Sequence, residues 1–83
     1  MNDILLNKVY RHFKGNYYIV QDIALDCETL EKHVVYRSLY DNKVWVRKLS
    51  NFISEVDPFG EGNITKQKCR FEYVDLSKEG KND

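Results

Sequence analysis

A hairpin near the amino terminus is the feature that most constrains how this chain folds. Aromatic, β-branched and cationic residues crowd positions 9–20, on either side of the tripeptide Lys14-Gly15-Asn16. Glycine and asparagine tolerate the positive φ values that tight hairpin turns require. The pattern therefore predicts two antiparallel strands, Lys8–Phe13 and Tyr17–Ala24, beside which later strands can be laid.

The second of these strands does not alternate cleanly. Tyr18 and Val20 fall on one face of an extended chain, whereas strict alternation puts Ile23 on the other face. One extra residue in the strand restores the alternation, and small barrels need such bends to close. The sequence therefore predicts a β-bulge near Gln21-Asp22.

Three more strands are predicted, the clearest being the β-branched and aromatic run after His33. They cover His33–Tyr40, Val44–Arg47 and Cys69–Val74, with a turn at 41–43, a loop at 26–32 and a mobile loop at 57–67. A helix-like apolar spacing at 49–53 predicts one short 3₁₀ turn before the last strand. The expected fold is mainly β, a small five-stranded SH3-like partly open barrel. An OB-like barrel or an open sheet with a helix is the main alternative.

The length of 83 residues allows one small core and no more. We expect an amino-terminal arm at 1–7, a single barrel domain at 8–74 and a flexible tail at 75–83. Within the arm, the apolar run Ile4-Leu5-Leu6 is suited to docking on the barrel, to adding an edge strand or to self-association.

The charge balance argues against binding to nucleic acid by bulk attraction, because 13 basic residues face 13 acidic ones and the net charge is zero. The sequence shows neither a signal-peptide pattern nor an apolar run of transmembrane length. We therefore expect a cytoplasmic protein without a membrane partner. In that compartment Cys27 and Cys69 are expected to be free thiols.

The residue spacing points away from cofactors and catalysis. Cys27 with His33, and Cys69 with His12, lack the paired spacing of zinc motifs. The acidic residues of the 26–32 loop are expected to be solvated, which leaves no carboxyl group with a perturbed pKa. No nucleophile elbow or phosphate loop is visible. We expect no cofactor, no metal and no enzymatic activity.

Aromatic and cationic side chains interleave along the predicted strands. Such mixtures stack nucleic-acid bases, clamp peptides, or simply fill a small core. For a single tyrosine, the core role is the more frequent one. Trp45 and Arg47 share one face of their strand, and Val44 and Val46 on the other face are expected to supply the core. The face of Trp45 and Arg47 would then be free for a partner.

Several of these segments together resemble a known family, the bacterial domain of unknown function 1653. The similarity runs from about Lys8 to Tyr73 and its most specific part is the block Tyr10-Arg11-His12-Phe13-Lys14-Gly15-Asn16. The other matching segments are Glu28-Thr29, Val34-Val35-Tyr36, Leu39-Tyr40, Trp45-Val46-Arg47 and Arg70-Phe71. The family has no characterised function, so the resemblance implies an identity without a mechanism.

The chain also departs from the family pattern. The family usually has His-Ser where this chain has Asp26-Cys27, a proline at Lys48, and Met-Phe at Asn51-Phe52. The first departure removes any mechanism built on that histidine. The resemblance therefore implies that the better site candidates are the matching residues Glu28, Thr29, Trp45, Arg47 and Arg70.

These observations lead to three hypotheses. The first is a non-catalytic protein- or peptide-interaction module, which could also form a homodimer through an edge strand or the amino-terminal arm. The second is a nucleic-acid-binding barrel that stacks a base on Trp45 or a tyrosine and contacts phosphates with Arg11, Lys14, Arg47 and Arg70. The third and weakest is an enzyme or small-ligand site around His12, Glu28 and Arg47. The candidate binding residues are Arg11, His12, Lys14, Glu28, Thr29, Tyr36, Trp45, Arg47 and Arg70.

Overall fold

The structure, a computed structural model, describes residues 4–75 of the chain. Its elements follow the order that the sequence predicts. They are β1 (Val9–His12), β2 (Tyr17–Leu25), β3 (Lys32–Ser38), β4 (Val44–Lys48), α1 (Leu49–Phe52) and β5 (Phe71–Tyr73).

The five strands form one antiparallel sheet in the order β4-β3-β2-β1-β5. Three successive hairpins build the sheet from β1 to β4, and β5 then returns to pair with the free side of β1. The edge strands β4 and β5 do not pair with each other, so the sheet is not closed into a barrel. The mainly β prediction is confirmed, whereas the SH3-like barrel is not.

The bulge in β2 lies where the alternation predicts it. Val20 pairs with Tyr36, but the next pair along the strand is Asp22 with Val35, so one residue of β2 has no counterpart on β3. The extra residue is Gln21. Because of it, both Val20 and Ile23 face the core, where Val20 is fully buried.

The helical turn after β4 is at the predicted place but is α-helical rather than 3₁₀. The backbone N–H of Ile53 donates to the carbonyl of Leu49 at 3.1 Å, which is the spacing of an α-turn. Phe52, at its end, is fully buried and stacks on Phe71 of β5 with ring centroids 4.1 Å apart. Its ring also meets the edges of Tyr10 and Tyr36. The helical turn therefore covers the core at the side where the sheet stays open.

Three strands are shorter than predicted, and one of them is β1, which spans Val9–His12 instead of Lys8–Phe13. β3 ends at Ser38 instead of Tyr40, because the Ser38 hydroxyl accepts hydrogen bonds from the backbone N–H groups of Tyr40 and Asp41 and bends the chain. β5 pairs only over Phe71–Tyr73. Before it, Cys69 forms an isolated bridge with Glu55.

The loop at 57–67 was predicted as mobile, but its end is packed against β1. Asn63 and Gln67 are both buried. The Gln67 side chain accepts a hydrogen bond from Arg11 Nε at 2.7 Å and donates one to the Arg11 carbonyl at 2.9 Å. The loop is therefore anchored by two buried polar residues whose hydrogen bonds are satisfied, and not by an apolar side chain.

The amino-terminal arm docks on the domain through Ile4, which packs against the core. The N–H of Leu5 also donates to the Tyr10 hydroxyl at 3.0 Å. Of the three roles predicted for the apolar run of the arm, the structure shows docking on the domain. Residues 1–3 of the arm and 76–83 of the tail lie outside the described residues. No helix within 4–75 has the length and apolar character needed to cross a bilayer.

Replacing Leu30 with glycine should stabilise the protein by about 0.5–1 kcal/mol. Leu30 is exposed and has a φ of 63°, a left-handed conformation that is strained for residues with a Cβ atom. Urea unfolding measures the change. Glu28→Gly in the same loop is the control, because it adds backbone freedom without relieving strain and should lower stability. A Leu30→Gly protein that is less stable than the wild type would contradict the left-handed conformation.

Candidate functional site

Trp45 and Arg47 lie on the core side of the sheet, which corrects the predicted face of β4. Trp45 pairs with Tyr36 of β3, whose ring is buried in the core. Opposite residues of paired strands share a face, so Trp45 and Arg47 point inward. Val44 and Val46 point outward and remain 57% and 61% exposed, so the prediction that they supply the core is wrong. Period-2 alternation separates two faces but does not say which one is inside.

The inward side of β4 forms a small cleft with β2 and β3. It has a volume of about 170 Å³ and is lined by Tyr18, Tyr36, Trp45 and Arg47. We call it the aromatic cleft. Tyr36 is buried, whereas Trp45 at the sheet edge keeps 49% of its surface exposed. The cleft therefore offers an aromatic wall to solvent beside a guanidinium.

The guanidinium of Arg47 is held in place by neutral groups. Its Nε donates to the Tyr36 hydroxyl at 3.1 Å, and its Nη1 donates to the side-chain oxygen of Asn51 in α1. The group also lies over the Phe71 ring, 5.4 Å from its centroid. None of these contacts carries a negative charge, so they orient the positive charge of Arg47 without balancing it.

A second guanidinium is tied to the same helical turn. Arg70 Nε donates to the Ser54 hydroxyl at 3.1 Å, and that hydroxyl donates to the Asn51 carbonyl at 2.6 Å. Arg70 also lies over the Phe13 ring at 5.7 Å. Asn51 therefore connects the two arginines, directly to Arg47 and through Ser54 to Arg70. We call Arg47, Asn51, Ser54 and Arg70 the arginine network.

His12 lies next to this network in a neutral form. Its ring packs against Phe13 at 4.5 Å and Phe71 at 4.8 Å. Its Nδ1 accepts a hydrogen bond from the backbone N–H of Lys14 at 3.1 Å, so the proton of the neutral ring is on Nε2. Burial first, and then the charges of Arg47, Arg70 and Lys14, together lower the pKa of His12 from 6.5 to about 4.

We expect the protein to lose stability as the pH falls from 6.5 to 4. Over this window the unfolded chain protonates His12 while the folded protein resists protonation, so the folded state becomes less favourable. Urea unfolding across the window measures the loss, and NMR titration of the imidazole gives its pKa directly. His12→Gln should remove this part of the pH dependence, and His33→Gln should leave it. An imidazole of His12 that titrates at 6.5 would contradict the packing described above.

The structure brings together most, but not all, of the sequence-predicted binding residues. His12, Tyr36, Trp45, Arg47 and Arg70 converge around the aromatic cleft and the arginine network. Lys14, in the exposed turn after β1, acts on the same region through its charge.

The other three candidates lie elsewhere. Arg11 faces the opposite side of β1, because alternation separates it from His12, and there it bonds to Gln67. Glu28 and Thr29 lie in the exposed β2–β3 loop. Their backbone N–H groups bond to the Asp26 carboxylate, which lowers the pKa of Asp26, so the expectation that no carboxyl pKa in this loop is perturbed is wrong. These two residues therefore form a turn and do not contribute to the cleft.

Sequence reasoning missed three residues of the site, Tyr18, Asn51 and Ser54. Tyr18 shares a face with Val20, so the alternation contained the signal that it points inward. Asn51 and Ser54 are three residues apart, close in space on a helical turn, but this spacing does not by itself identify partners for arginines. Only the tertiary structure shows that Arg70, remote in sequence, reaches them.

Another cleft, of about 190 Å³, lies beside Tyr10, Phe52 and Phe71. Its lining is mostly apolar and aromatic, and Ile4 of the arm is part of it. Within residues 4–75, no three His, Cys, Asp or Glu side chains are grouped so as to hold a metal ion. Cys27 and Cys69 are free. Ligand sites combine an apolar or aromatic lining with a few convergent polar groups, and the aromatic cleft has both because Arg47 lies beside its rings, so it is the stronger candidate.

Comparisons with known proteins agree with the fold and with the family resemblance. The family model described as protein of unknown function (DUF1653) matches residues 8–73. A crystal structure of a DUF1653 protein from Bordetella bronchiseptica is similar to this chain, with a TM-score of 0.67 and 33% sequence identity over 84% of this chain and 87% of that one. Among curated proteins no significant match was found. With most of its length matched in sequence and in structure, the chain belongs to the DUF1653 family.

Proposed function

We propose that this domain is a non-catalytic interaction module that binds a peptide segment of a protein partner in the aromatic cleft. The observation that carries the proposal is the half-exposed Trp45 beside an arginine already fixed in position. Tryptophan and arginine are the residues that most often dominate the binding energy of protein interfaces. An arginine that is held before binding loses less side-chain entropy when a ligand arrives.

The size of the cleft supports a peptide over a cofactor. Its volume of about 170 Å³ is below the roughly 300–1,000 Å³ of typical small-molecule sites and is suited to a single side chain. The state of His12 supports binding over catalysis. With a pKa of about 4 it is a weak base at neutral pH, whereas a general base works best with a pKa near the operating pH.

Fluorescence of Trp45 tests the proposal directly, because it is the single tryptophan of the chain. The probe is a library of short capped peptides, added one at a time to the full-length protein. We expect a subset to shift the Trp45 emission in a saturable way. Val46→Ala, on the outer face, should leave those titrations unchanged. If no peptide changes the emission, or if the peptides that bind do so without affecting Trp45, the proposed site is wrong.

A nucleic-acid ligand is the second candidate. It is favoured by the three cations near His12, which are Arg47, Arg70 and Lys14. Proteins that bind single strands combine such positive charges with aromatic side chains on which bases stack. The test is a single-stranded oligothymidylate at low salt, also followed through Trp45. Saturable binding that weakens steeply with added salt would favour this candidate over the peptide. The zero net charge of the chain is the reason to rank it second.

A further inference from the structure

The arginine network holds two like charges together with neutral ligands only. Arg47 is bonded to Tyr36 and Asn51, and Arg70 is bonded to Ser54. Both side chains are half-buried, and a guanidinium makes its strongest hydrogen bonds with an anionic acceptor such as a carboxylate or a phosphate. Here the hydrogen bonds among residues 4–75 orient both guanidiniums and leave their charge uncompensated.

Both guanidiniums act on the same small region. Arg47 lies over the ring of Phe71 and Arg70 lies over the ring of Phe13, and the imidazole of His12 packs between these two rings. Both arginines, together with Lys14, disfavour a positive charge on His12. Burial is the larger cause of the low pKa of His12 and disfavours any charge there, whereas the positive charges of the three cations, which lower the pKa further, also attract an anion.

The network also leaves donors for a ligand. A guanidinium has five N–H donors, and the bonds that the structure shows use two on Arg47 and one on Arg70. A carboxylate or phosphoryl group accepts from such donors in a planar, paired geometry that a lysine cannot offer.

We propose that the arginine network is an oxyanion site, and that it anchors an acidic side chain of the peptide whose neighbouring residue lies in the aromatic cleft. This inference rests on the proposed function and adds the chemistry of the ligand. Aspartate, glutamate and phosphorylated serine offer the same oxyanion, so the network fixes the class of side chain and not one residue. Trp45, two residues before Arg47 on the same face of β4, contacts the neighbouring residue of the peptide.

The experiment compares three short capped peptides that differ at one position, which is glutamate, phosphoserine or glutamine. Binding to the full-length protein is followed by Trp45 fluorescence and by NMR. We expect either acidic peptide to bind about tenfold or more tightly than the glutamine peptide, as is usual for charge-assisted hydrogen bonds. The more strongly bound of the two identifies the source of the oxyanion.

Arg70→Gln is the decisive variant, because Arg70 does not line the aromatic cleft. It should reduce the preference for acidic peptides over the glutamine peptide to less than about threefold. Arg37→Gln is the matched control. Arg37 lies on the outer face of β3 and bonds to Asn42, so its loss should not change the preference.

The outcomes separate the inference from the proposed function. If peptides bind at Trp45 without preferring the acidic ones, the oxyanion site is wrong and the peptide module stands. If none of the peptides affects Trp45, the proposed function itself fails. Equal loss in Arg70→Gln and Arg37→Gln would mean that only the overall charge matters, which also overturns the site. Stronger, salt-sensitive binding of oligothymidylate would assign the arginines to a nucleic-acid backbone instead.

Discussion

Phe52→Ala should lower the free energy of unfolding by about 3–5 kcal/mol, the usual cost of removing a fully buried phenylalanine. Phe52 is fully buried and its ring contacts Phe71, Tyr10 and Tyr36, which belong to three different strands. Domains of this size have total stabilities near the low end of about 5–15 kcal/mol. The variant should therefore be unfolded in a large fraction of molecules at moderate temperature.

Phe59→Ala is the matched control for this prediction. Phe59 is 81% exposed, and the ammonium of Lys66 lies over its ring. The same substitution there should cost less than about 1 kcal/mol. Urea unfolding followed by circular dichroism measures both variants. Equal losses in the two proteins would show that α1 does not cover the core as described.

Arg47→Lys should lower the affinity for an acidic peptide by about tenfold or more, although it keeps the positive charge. A lysine ammonium cannot reproduce the fork of N–H donors that reaches Tyr36 and Asn51 while others remain for a ligand. It would also lose the planar contact over Phe71. Trp45 fluorescence with the capped glutamate peptide measures the affinity.

Arg37→Lys is the control for that exchange. Its guanidinium donates to Asn42 on the outer face, so the same conservative change should leave peptide affinity within about twofold. Unfolding curves of Arg47→Lys show whether the fold is retained. If the folded Arg47→Lys protein binds as tightly as the wild type, charge alone explains the site and the preorganised geometry does not matter.

Local rules predict the sheet well. The order of the elements, the antiparallel hairpins and even the bulge at Gln21 follow from turn residues and alternation, which depend on neighbours in sequence. Whether the sheet closes into a barrel does not follow from such local rules, because it depends on how strongly the whole sheet curves. Here α1 places Phe52 between the rings of β1, β3 and β5, and this packing covers the open side without β4 meeting β5.

The candidate site was predicted only in part, for a similar reason. Alternation grouped Trp45 with Arg47 correctly but put the valines of β4 inside. At an edge strand the valines can face solvent, while a long arginine and a tryptophan reach over the core and keep their polar ends accessible. The bond from Arg70 to Ser54 joins residues 16 apart in sequence, and no local pattern encodes it.

The central claim is that Trp45 borders an open, positively charged cleft, and collisional quenching of its fluorescence tests this most directly. Selective excitation isolates Trp45 from the six tyrosines. Iodide and caesium, each compared with their effect on free N-acetyltryptophanamide, report the sign of the local potential. We predict that, relative to quenching of the free compound, iodide quenches Trp45 more efficiently than caesium does. Arg70→Gln should reduce this difference in quenching efficiency between the two ions. Inaccessibility to both ions, or better quenching by caesium, would contradict the account.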